Sequence, residues 1–294
     1  MKKLVLDGNS LTVADLGRIT APGGTVAFSL PAQRKVKASR RIVEEWIGRG
    51  ETVYGVTTGF GEFSNVKISS SDLEQLQENL IMSHAAGTGE PLPHTVVRAM
   101  MVLRMNALLK GYSGIRSETM EFFRTMFNAG ITPIIPSRGS VGSSGDLAPL
   151  AHLVLTMIGR GTVVFDGAIM ESTVALKRIG LRPWRLAAKE GLALVNGTQM
   201  MTAIGALVVR DAIDLCTLAD IAGSMSVEAL KGSDTAFDPR IQRVRPHRGQ
   251  SEAAENLRML IAGSEIRESH RHGDARVQDA YSIRCIPQVH GATR

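Results

Sequence analysis

Apolar residues recur at helical spacing through much of the chain. Leu73, Leu76 and Leu80 fall on one face of an α-helix, and Ser71 and Glu74 form a capping-box pattern at its start. The pattern therefore predicts an amphipathic helix in this segment.

The longest helical pattern lies in the second half of the chain, from about Gln199 to Lys231, and Gly232 is expected to end it. Small residues recur along this segment, which favours close packing with other helices in a bundle. Shorter helices are predicted at residues 12–16, 99–109 and 120–127.

Two segments carry the β-branched and aromatic residues typical of strands. Residues 25–30, TVAFSL, predict a strand, and residues 162–170, TVVFDGAIM, place Asp166-Gly167 between two short β-like runs. Asp-Gly favours the tight turn of a hairpin because both residues tolerate positive φ. We therefore expect a mainly α fold with small β elements near the front and middle of the chain.

Composition indicates a globular chain with a substantial core. The 294 residues are 44% hydrophobic, and too few apolar residues precede Asp7 to form a signal-peptide core. No apolar run is expected to reach membrane-spanning length. These features predict a cytoplasmic protein without a membrane partner.

The net charge of +6 raises the alternative of nucleic-acid binding, because basic residues cluster toward the end of the chain. Acidic residues interleave with them and aromatic residues do not accompany them, so we favour a solvated or subunit-facing surface and expect no nucleic-acid partner. The cluster comprises Arg240, Arg243, Arg245, His247, Arg248, Arg267, His270, Arg271 and His272.

The two cysteines, Cys216 and Cys285, lie far apart and in no zinc-ligand spacing. We expect buried thiols and no metal site.

The segment 139–153, GSVGSSGDLAPLAHL, contains a triplet that can react with itself. Gly145 lacks a side chain, so its backbone nitrogen can approach the carbonyl carbon of Ser143 in a tight turn. The hydroxyl of Ser144 can leave as water, and its Cβ then becomes a methylidene conjugated with the new five-membered ring. The triplet thus holds the components of an electrophile, which ordinary side chains do not provide.

A flexible turn or a phosphate-binding loop is the alternative interpretation of a Gly/Ser-rich stretch. The segment has no G-x-x-x-x-G-K-[ST] pattern, and no lysine follows its glycines. Asp146 and Pro149 instead lead into an apolar run through Leu155, which predicts a loop held at the start of a buried helix. We expect Asp146 to orient this loop.

These residues resemble the active-site loop of the aromatic amino acid ammonia-lyases and aminomutases, which carry a 4-methylidene-imidazol-5-one (MIO) group. In that family the ring forms from Ala-Ser-Gly, and Ser143 stands here in place of the alanine. The side chain of this first residue stays outside the ring, so we expect a serine to be tolerated. The resemblance implies autocatalytic MIO formation from Ser143-Ser144-Gly145, no metal, and an ammonia-lyase-like helical bundle with a smaller mixed α/β N-terminal part.

The resemblance implies two parts of the chain. Residues 1–115 form the mixed α/β part with the Tyr54 loop, and residues 116–294 carry the MIO loop and the start of the central bundle. Tyr54 lies in YGVTTGFG, a glycine-rich segment typical of mobile covers over active sites. A tyrosine is more often a packing residue, but the resemblance implies that Tyr54 removes the β-proton of the substrate.

Two further motifs match family segments that contact the substrate. SHAAGTGEP resembles the segment that lines the substrate side-chain pocket, and its Ser83-His84 pair resembles that of histidine-specific members. KEGLALVNGTQ resembles the segment in which Asn196 approaches the ring and the substrate carboxylate.

Gln278, Tyr281 and Arg284 follow one another at intervals of three residues, so we expect them on one face of a helix. The resemblance implies that Gln278 and Tyr281 border the ring, with a catalytic role for Tyr281. It also implies that Arg284 binds the substrate carboxylate, which a guanidinium can hold by two parallel hydrogen bonds.

The implied reaction is the elimination of ammonia from L-histidine to give trans-urocanate. A phenylalanine or tyrosine ammonia-lyase or an aminomutase is one alternative, which the Ser83-His84 pair argues against. An inactive truncated remnant is another, because family members continue beyond the segment matched here. Family active sites draw on three subunits, so the resemblance also implies a homotetramer where the C-terminal helices are present.

Overall fold

The computed structural model describes residues 3–53, 55–58, 73–142 and 145–294. The chain divides into two compact units, Met1–Leu207 and Val208–Arg294. Helices form most of the regular structure in both units, which confirms the mainly α fold. The boundary expected between residues 115 and 116 is drawn from the positions of sequence motifs. It stays a prediction.

The first unit contains helices α1 to α8 and the beginning of α9. The helices are α1 Val13–Ile19, α2 Leu30–Gly48, α3 Leu73–His84, α4 His94–Leu108, α5 Ser117–Asn128, α6 Leu147–Met157, α7 Ser172–Arg178, α8 Glu190–Val195 and α9 Gln199–Ala229. The strands are β1 Lys3–Leu6, β2 Thr25–Phe28, β3 Thr88–Pro91, β4 Thr132–Pro133, β5 Pro136–Arg138, β6 Thr162–Phe165 and β7 Ala168–Glu171.

The helices predicted from periodicity are confirmed. Helix α1 begins with a capping box in which Thr12 and Asp15 bond each other's backbone amides. Helices α3, α4 and α5 cover the predicted segments, and Gly130 follows α5 with a φ of +87° that suits glycine. The predicted cap of α3, Ser71, lies outside the described residues.

Within the described part of the chain, the strands form three small sheets. Strands β1 and β2 pair in parallel from Lys3 opposite Thr25 to Leu6 opposite Phe28, and β3 pairs antiparallel with β5. Strand β6 lies between β4 and β7, and both pairings are antiparallel. Asp166 and Gly167 join β6 to β7 with φ values of +50° and +75°, so the predicted hairpin is confirmed.

A single apolar core holds the first unit together. Helices α4, α5 and α6 supply many of its fully buried side chains, and β2 and β6 add Val26, Val163 and Phe165. Fully buried members include Met100, Met101, Met105, Phe123, Phe127, Leu150 and Leu153. Burial of such side chains is the main stabilising contribution to a fold of this kind.

Helix α9 confirms the long helix predicted from Gln199, and it ends two residues earlier than expected. Lys231, not Gly232, takes the left-handed conformation, with a φ of +51°. The amide of Gly232 then donates to the carbonyl of Val227 at 2.7 Å, which closes the helix end. The side chains from residue 211 to 218 are largely exposed, so the predicted packing of α9 inside a bundle stays a prediction.

The second unit continues from α9 through short helices around its own small core. These helices are a 3₁₀ turn Thr235–Phe237, α10 Pro239–Val244, α11 Arg248–Leu260, α12 Glu265–Ser269, α13 Tyr281–Arg284 and α14 Ile286–Thr293. The buried core comprises Val227, Phe237, Ala254, Leu257, Ile261, Ile283 and Ile286. Cys216 and Cys285 are free thiols that are half-buried rather than buried as predicted.

By length and composition alone, the segment Glu190–Ala229 could cross a membrane, because an 18-residue window within it has a mean hydropathy of 1.6. No residue from 191 to 209 carries a charge, so the prediction that no apolar run reaches this length is wrong. The segment includes the turn between α8 and α9, and long core helices of water-soluble proteins pass the same test. The expectation of no membrane partner stays a prediction.

Candidate active site

Gly145 occupies a position that excludes any side chain. Its φ is +108°, and a Cβ placed on it would lie 2.4 Å from the carbonyl oxygen of Gly197. The next amide, that of Asp146, donates a hydrogen bond of 2.6 Å to the same oxygen. The loop before α6 is therefore pressed against the turn that joins α8 to α9.

Asp146 orients this loop, as predicted. Its buried carboxylate accepts hydrogen bonds from the hydroxyl of Ser140 at 2.7 Å and from the amide of Met201 at 2.9 Å. Met201 lies in the first turn of α9, where free amides and the helix dipole favour a negative charge. The carboxylate thus ties the two ends of the loop to the start of α9.

Asn196 and Gly197 form the turn between α8 and α9. Asn196 is the exposed C-cap residue of α8, with an extended ψ of 100° that takes the chain out of the helix. Gly197 contacts the Gly145 loop, so its neighbour Asn196 lies beside that loop, and the role assigned to Asn196 stays a prediction. A side chain at Gly197 would displace the side-chain ends of Gln199 and Arg104, which lie against this position.

Arg104 is a residue of this region that sequence analysis missed. It lies on α4 and is buried, and its guanidinium donates to the carbonyl of Asn196 and to Oε1 of Gln199, both at 2.9 Å. A second nitrogen donates to the carbonyl of Ala193. The only available signal was an arginine inside the apolar run HTVVRAMMVLRMNAL.

A buried carboxylate fixes the other end of α8. Glu190, the first residue of α8, accepts hydrogen bonds from the Arg116 side chain at 2.6 and 3.0 Å and from the amide of Ala187 at 2.9 Å. The hydroxyl of Thr119 also donates to it. Since α8 spans only Glu190–Val195, this anchor and the Arg104 guanidinium hold both ends of the helix that delivers Asn196.

Ser83 and His84 end α3 and contact each other. The Ser83 hydroxyl donates to the carbonyl of Leu80 at 2.9 Å, and Nδ1 of His84 lies 2.9 Å from that carbonyl and 3.0 Å from Ser83 Oγ. A carbonyl only accepts, so Nδ1 carries a proton. In the neutral ring, Nε2 is then an acceptor.

The segment after His84 is attached to α6. The amide of Gly87 donates to Nε2 of His152 at 3.0 Å, and burial lowers the pKa of His152 below its usual value. Both observations favour a neutral His152. Helices α3, α6 and α8 also pack against one another, so one group of helices carries His84, Asp146 and Asn196 at its ends.

Gln278, Tyr281 and Arg284 come together in the second unit. The Arg284 guanidinium donates to Oε1 of Gln278 and lies 5.7 Å from the centre of the Tyr281 ring. The predicted single helix is wrong, because Gln278 precedes α13. Asp279 accepts a hydrogen bond of 2.6 Å from the amide of Ser233, which holds this stretch outside the helix.

Tyr54, Ser143 and Ser144 lie outside the described residues. Their assigned roles stay predictions, and only Gly145 of the ring-forming triplet is described.

The basic cluster of the second unit is partly neutralised by acids. Exposed ion pairs join Arg240 to Asp238, Arg248 to Glu252 and Arg271 to Glu268. Arg267 differs from the predicted solvated surface, because it is buried and bonded to Asp234. The subunit-facing or solvated role of the remaining cluster stays a prediction.

Known proteins match nearly the whole chain. The family model described as aromatic amino acid lyase matches residues 11–294. A histidine ammonia-lyase of Caldanaerobacter subterraneus subsp. tengcongensis is 51% identical over 294 residues, which are 100% of this chain and 58% of that protein. A histidine ammonia-lyase of Gloeobacter violaceus is 53% identical over 290 residues, which are 99% of this chain and 56% of that protein.

Solved structures agree with these matches. The structure of histidine ammonia-lyase from Trypanosoma cruzi superposes with a TM-score of 0.86 at 42% identity, covering 99% of this chain and 53% of that one. Tyrosine aminomutase from Streptomyces globisporus superposes with a TM-score of 0.87 at 37% identity, covering 99% of this chain and 58% of that one. The chain therefore spans little more than half the length of the relatives it matches.

These matches confirm the resemblance and the fold class inferred from the sequence. Since the family model covers the Gly145 loop, the Asn196 turn and the Arg284 segment alike, the chain belongs to the aromatic amino acid lyase family.

Proposed function

We propose that this chain carries the activity of a histidine ammonia-lyase, which eliminates ammonia from L-histidine to give trans-urocanate. The observation that carries the proposal is the position of Gly145, whose left-handed backbone is pressed against the Asn196-Gly197 turn. Two curated histidine ammonia-lyases at 51% and 53% identity support histidine as the substrate.

The triplet Ser143-Ser144-Gly145 would cyclise without an external reagent. The Gly145 nitrogen attacks the Ser143 carbonyl carbon, one water leaves from that carbon, and a second leaves as the Ser144 hydroxyl with the proton on Cα. The cradle around Gly145 fits this closure, because it has no room for a Cβ and holds the next amide by a bond to Gly197. The completed MIO ring would supply an electrophilic methylidene carbon toward an amino group.

His84 offers an acceptor that suits the imidazole of the substrate. Its Nδ1 proton is directed to Leu80, so Nε2 can accept a hydrogen bond from an imidazole N–H. A phenyl ring has no such donor. The Ser83-His84 pair therefore favours histidine over phenylalanine.

The remaining residues would bind the carboxylate and move the proton. Asn196 supplies an amide at the turn beside Gly145, and Arg284, steadied by Gln278 and Tyr281, supplies a guanidinium suited to a carboxylate. Tyr54 would remove the β-proton as the general base. Tyr281 would border the reacting atoms.

A cytoplasmic homotetramer is part of the proposal. Exposed apolar side chains on α9, among them Val208, Ile213, Leu215 and Leu218, favour burial against other subunits or further helices. Size measured by light scattering tests the tetramer, and cell fractionation tests the compartment.

Two measurements on the purified chain test the activity. Intact mass reports cyclisation as the loss of two waters, and incubation with L-histidine, L-phenylalanine and L-tyrosine reports the product. Cyclised chain with urocanate supports the proposal, while a cinnamate, a coumarate or a β-amino acid would indicate one of the alternative activities. Cyclised chain without any product would indicate the inactive remnant. A chain whose mass is not lower by two waters would contradict MIO formation itself.

A further inference from the structure

Arg104 joins three parts of the first unit through neutral oxygens. Its side chain reaches from α4 to the carbonyls of Ala193 and Asn196 and to the side chain of Gln199. The residue is 4% exposed, so these contacts are shielded from water. A buried arginine usually pairs with a carboxylate, but within the described residues its hydrogen-bond acceptors are uncharged.

The C-terminal end of α8 supplies partial negative charge to the Arg104 guanidinium. Ala193 and Asn196 lie at the C-terminal end of α8, where carbonyls lack partners within the helix and carry the negative end of its dipole. Burial lowers the pKa of Arg104 to about 10, so the guanidinium stays charged at neutral pH. Arg104 is thus a fixed cation that caps α8 at the residue assigned to substrate binding.

Gly197 lies between the Arg104 guanidinium and Gly145. A Cβ on Gly197 would lie 2.3 Å from an Arg104 nitrogen and 2.2 Å from Gln199 Oε1. On its other side, the Gly197 carbonyl contacts Gly145 and accepts the bond from the amide of Asp146. Close packing of this kind transmits a displacement of the guanidinium to Gly145.

We propose that Arg104 is a positioning residue for ring closure, acting through the Asn196-Gly197 turn on Gly145. The inference rests on the proposed function, because it requires the triplet to cyclise. Arg104 does not touch the triplet in the described residues; it holds the turn against which Gly145 is pressed. Loss of the guanidinium lets the turn relax, and Gly145 is then held less firmly for the attack of its nitrogen.

Arg98 provides a matched control on the same helix. It is 3% exposed, and its guanidinium also donates to backbone carbonyls, those of Phe127 at 3.3 Å and Gly24 at 3.0 Å. These acceptors belong to a different region from the Asn196 turn. Arg98→Met therefore removes a buried cation of the same kind without touching the turn.

The experiment measures cyclisation in newly made chain. Wild type, Arg104→Met, Arg104→Lys and Arg98→Met are synthesised by cell-free translation, and samples are digested with trypsin over time. Cleavage after Arg138 and Arg160 releases residues 139–160 as one peptide, whose mass falls by two waters on cyclisation. Thermal unfolding of each protein gives its stability separately.

We expect Arg104→Met to cyclise about 10²-fold more slowly than wild type, since small misplacements of reacting groups cost about this much. Arg104→Lys retains the charge and one contact, so it should fold and cyclise at an intermediate rate. Arg98→Met should lose comparable stability and cyclise at the wild-type rate. If Arg104→Lys and Arg104→Met cyclise like wild type, or if Arg98→Met is slowed equally, the inference is wrong. Wild-type peptide without the mass loss would overturn the proposed function and this inference together.

Discussion

The amide of Asp146 donates a 2.6 Å hydrogen bond to the carbonyl of Gly197, which lies between the helices α8 and α9. This bond joins two motifs that are about fifty residues apart in sequence and places Asn196 beside the cyclising loop. Three supports converge on it: the Asp146 carboxylate on α9, the Arg104 guanidinium on α8 and the absence of side chains at Gly145 and Gly197. Preorganisation of this kind is what a backbone cyclisation requires.

Replacement of Gly145 tests the cradle directly. In Gly145→Ala the new Cβ would lie 2.4 Å from the Gly197 oxygen, and the positive φ adds backbone strain of about 1–3 kcal/mol. We expect a less stable chain that does not cyclise and therefore shows no loss of two waters. Intact mass and thermal unfolding measure the two effects.

Gly142→Ala is the matched control for this substitution. Gly142 has a φ of +77°, and the nearest atom to a new Cβ, the sulfur of Met201, is 3.9 Å away. Gly142→Ala has the same backbone strain as Gly145→Ala, but its new Cβ overlaps no other atom. It should therefore lose stability and still cyclise. Equal cyclisation in both variants would show that contact with Gly197 is irrelevant to ring closure.

The assignment of Tyr54 as general base predicts a separation of ring formation from turnover. Tyr54→Phe removes only the phenolic oxygen, so the chain should cyclise normally. Turnover of histidine should fall by about 10²–10⁴-fold, the usual contribution of a positioned base. Intact mass and the initial rate of urocanate formation measure the two, and an unchanged rate would refute the assignment.

The acceptor nitrogen of His84 predicts the substrate preference. His84→Leu removes the partner of the imidazole N–H, which should lower kcat/KM for histidine by about 10- to 100-fold. Activity toward phenylalanine should hold or rise, since its ring makes no such bond. Met82→Leu, a substitution of similar volume at an exposed position of the same helix, is the control and should change the ratio little.

Local patterns predicted the elements whose apolar faces meet the core. Helix α5 was predicted correctly because the spacing of its aromatic residues, Phe123 and Phe127, matches the face that is fully buried. The hairpin at Asp166-Gly167 was predicted because two adjacent residues determine its turn. In both cases the information lies within a few residues of the sequence.

Features that depend on distant partners were not predictable from these patterns. The helix expected from Gln278 is shortened because Asp279 accepts a hydrogen bond from the amide of Ser233, which lies 46 residues earlier. The hydrogen-bond acceptors of the Arg104 guanidinium lie 89 to 95 residues away in sequence, so its contact with the Asn196 turn could not be predicted. The site motifs themselves were found by resemblance, because no local rule places Asn196 next to Gly145.

His152 makes stability depend on pH near neutrality. Burial lowers its pKa in the folded chain, so the unfolded chain binds more protons between the folded pKa and the usual value of about 6.5. Stability should therefore be complete above this value and fall as the pH drops through the folded pKa. His152→Gln, whose carbonyl can still accept from Gly87, should flatten the profile, whereas the exposed control His272→Gln should leave it unchanged. Unfolding in urea from pH 7 to pH 5 measures the slope, and an identical slope in His152→Gln would exclude this source.

Asp220 makes the second unit sensitive to acid. Burial alone would raise the pKa of its carboxyl, but hydrogen bonds from Asn256 at 2.7 Å, from His290 at 2.8 Å and from Arg294 lower it below its usual value. The ionised carboxylate therefore stabilises the fold above its unfolded pKa of about 3.9, and this contribution is lost as the pH falls through the folded pKa.

Asp220→Asn should remove that acid sensitivity and lower the stability of the second unit at neutral pH by about 1–3 kcal/mol, because His290 and Arg294 lose a charged acceptor. The carboxylate joins α9, α11 and α14, so protection of their amides from hydrogen exchange should fall together. Asp214→Asn, on an exposed face of the same helix, is the control and should alter neither quantity. If exchange quickens in α14 alone, Asp220 stabilises a single helix end and does not couple the three helices.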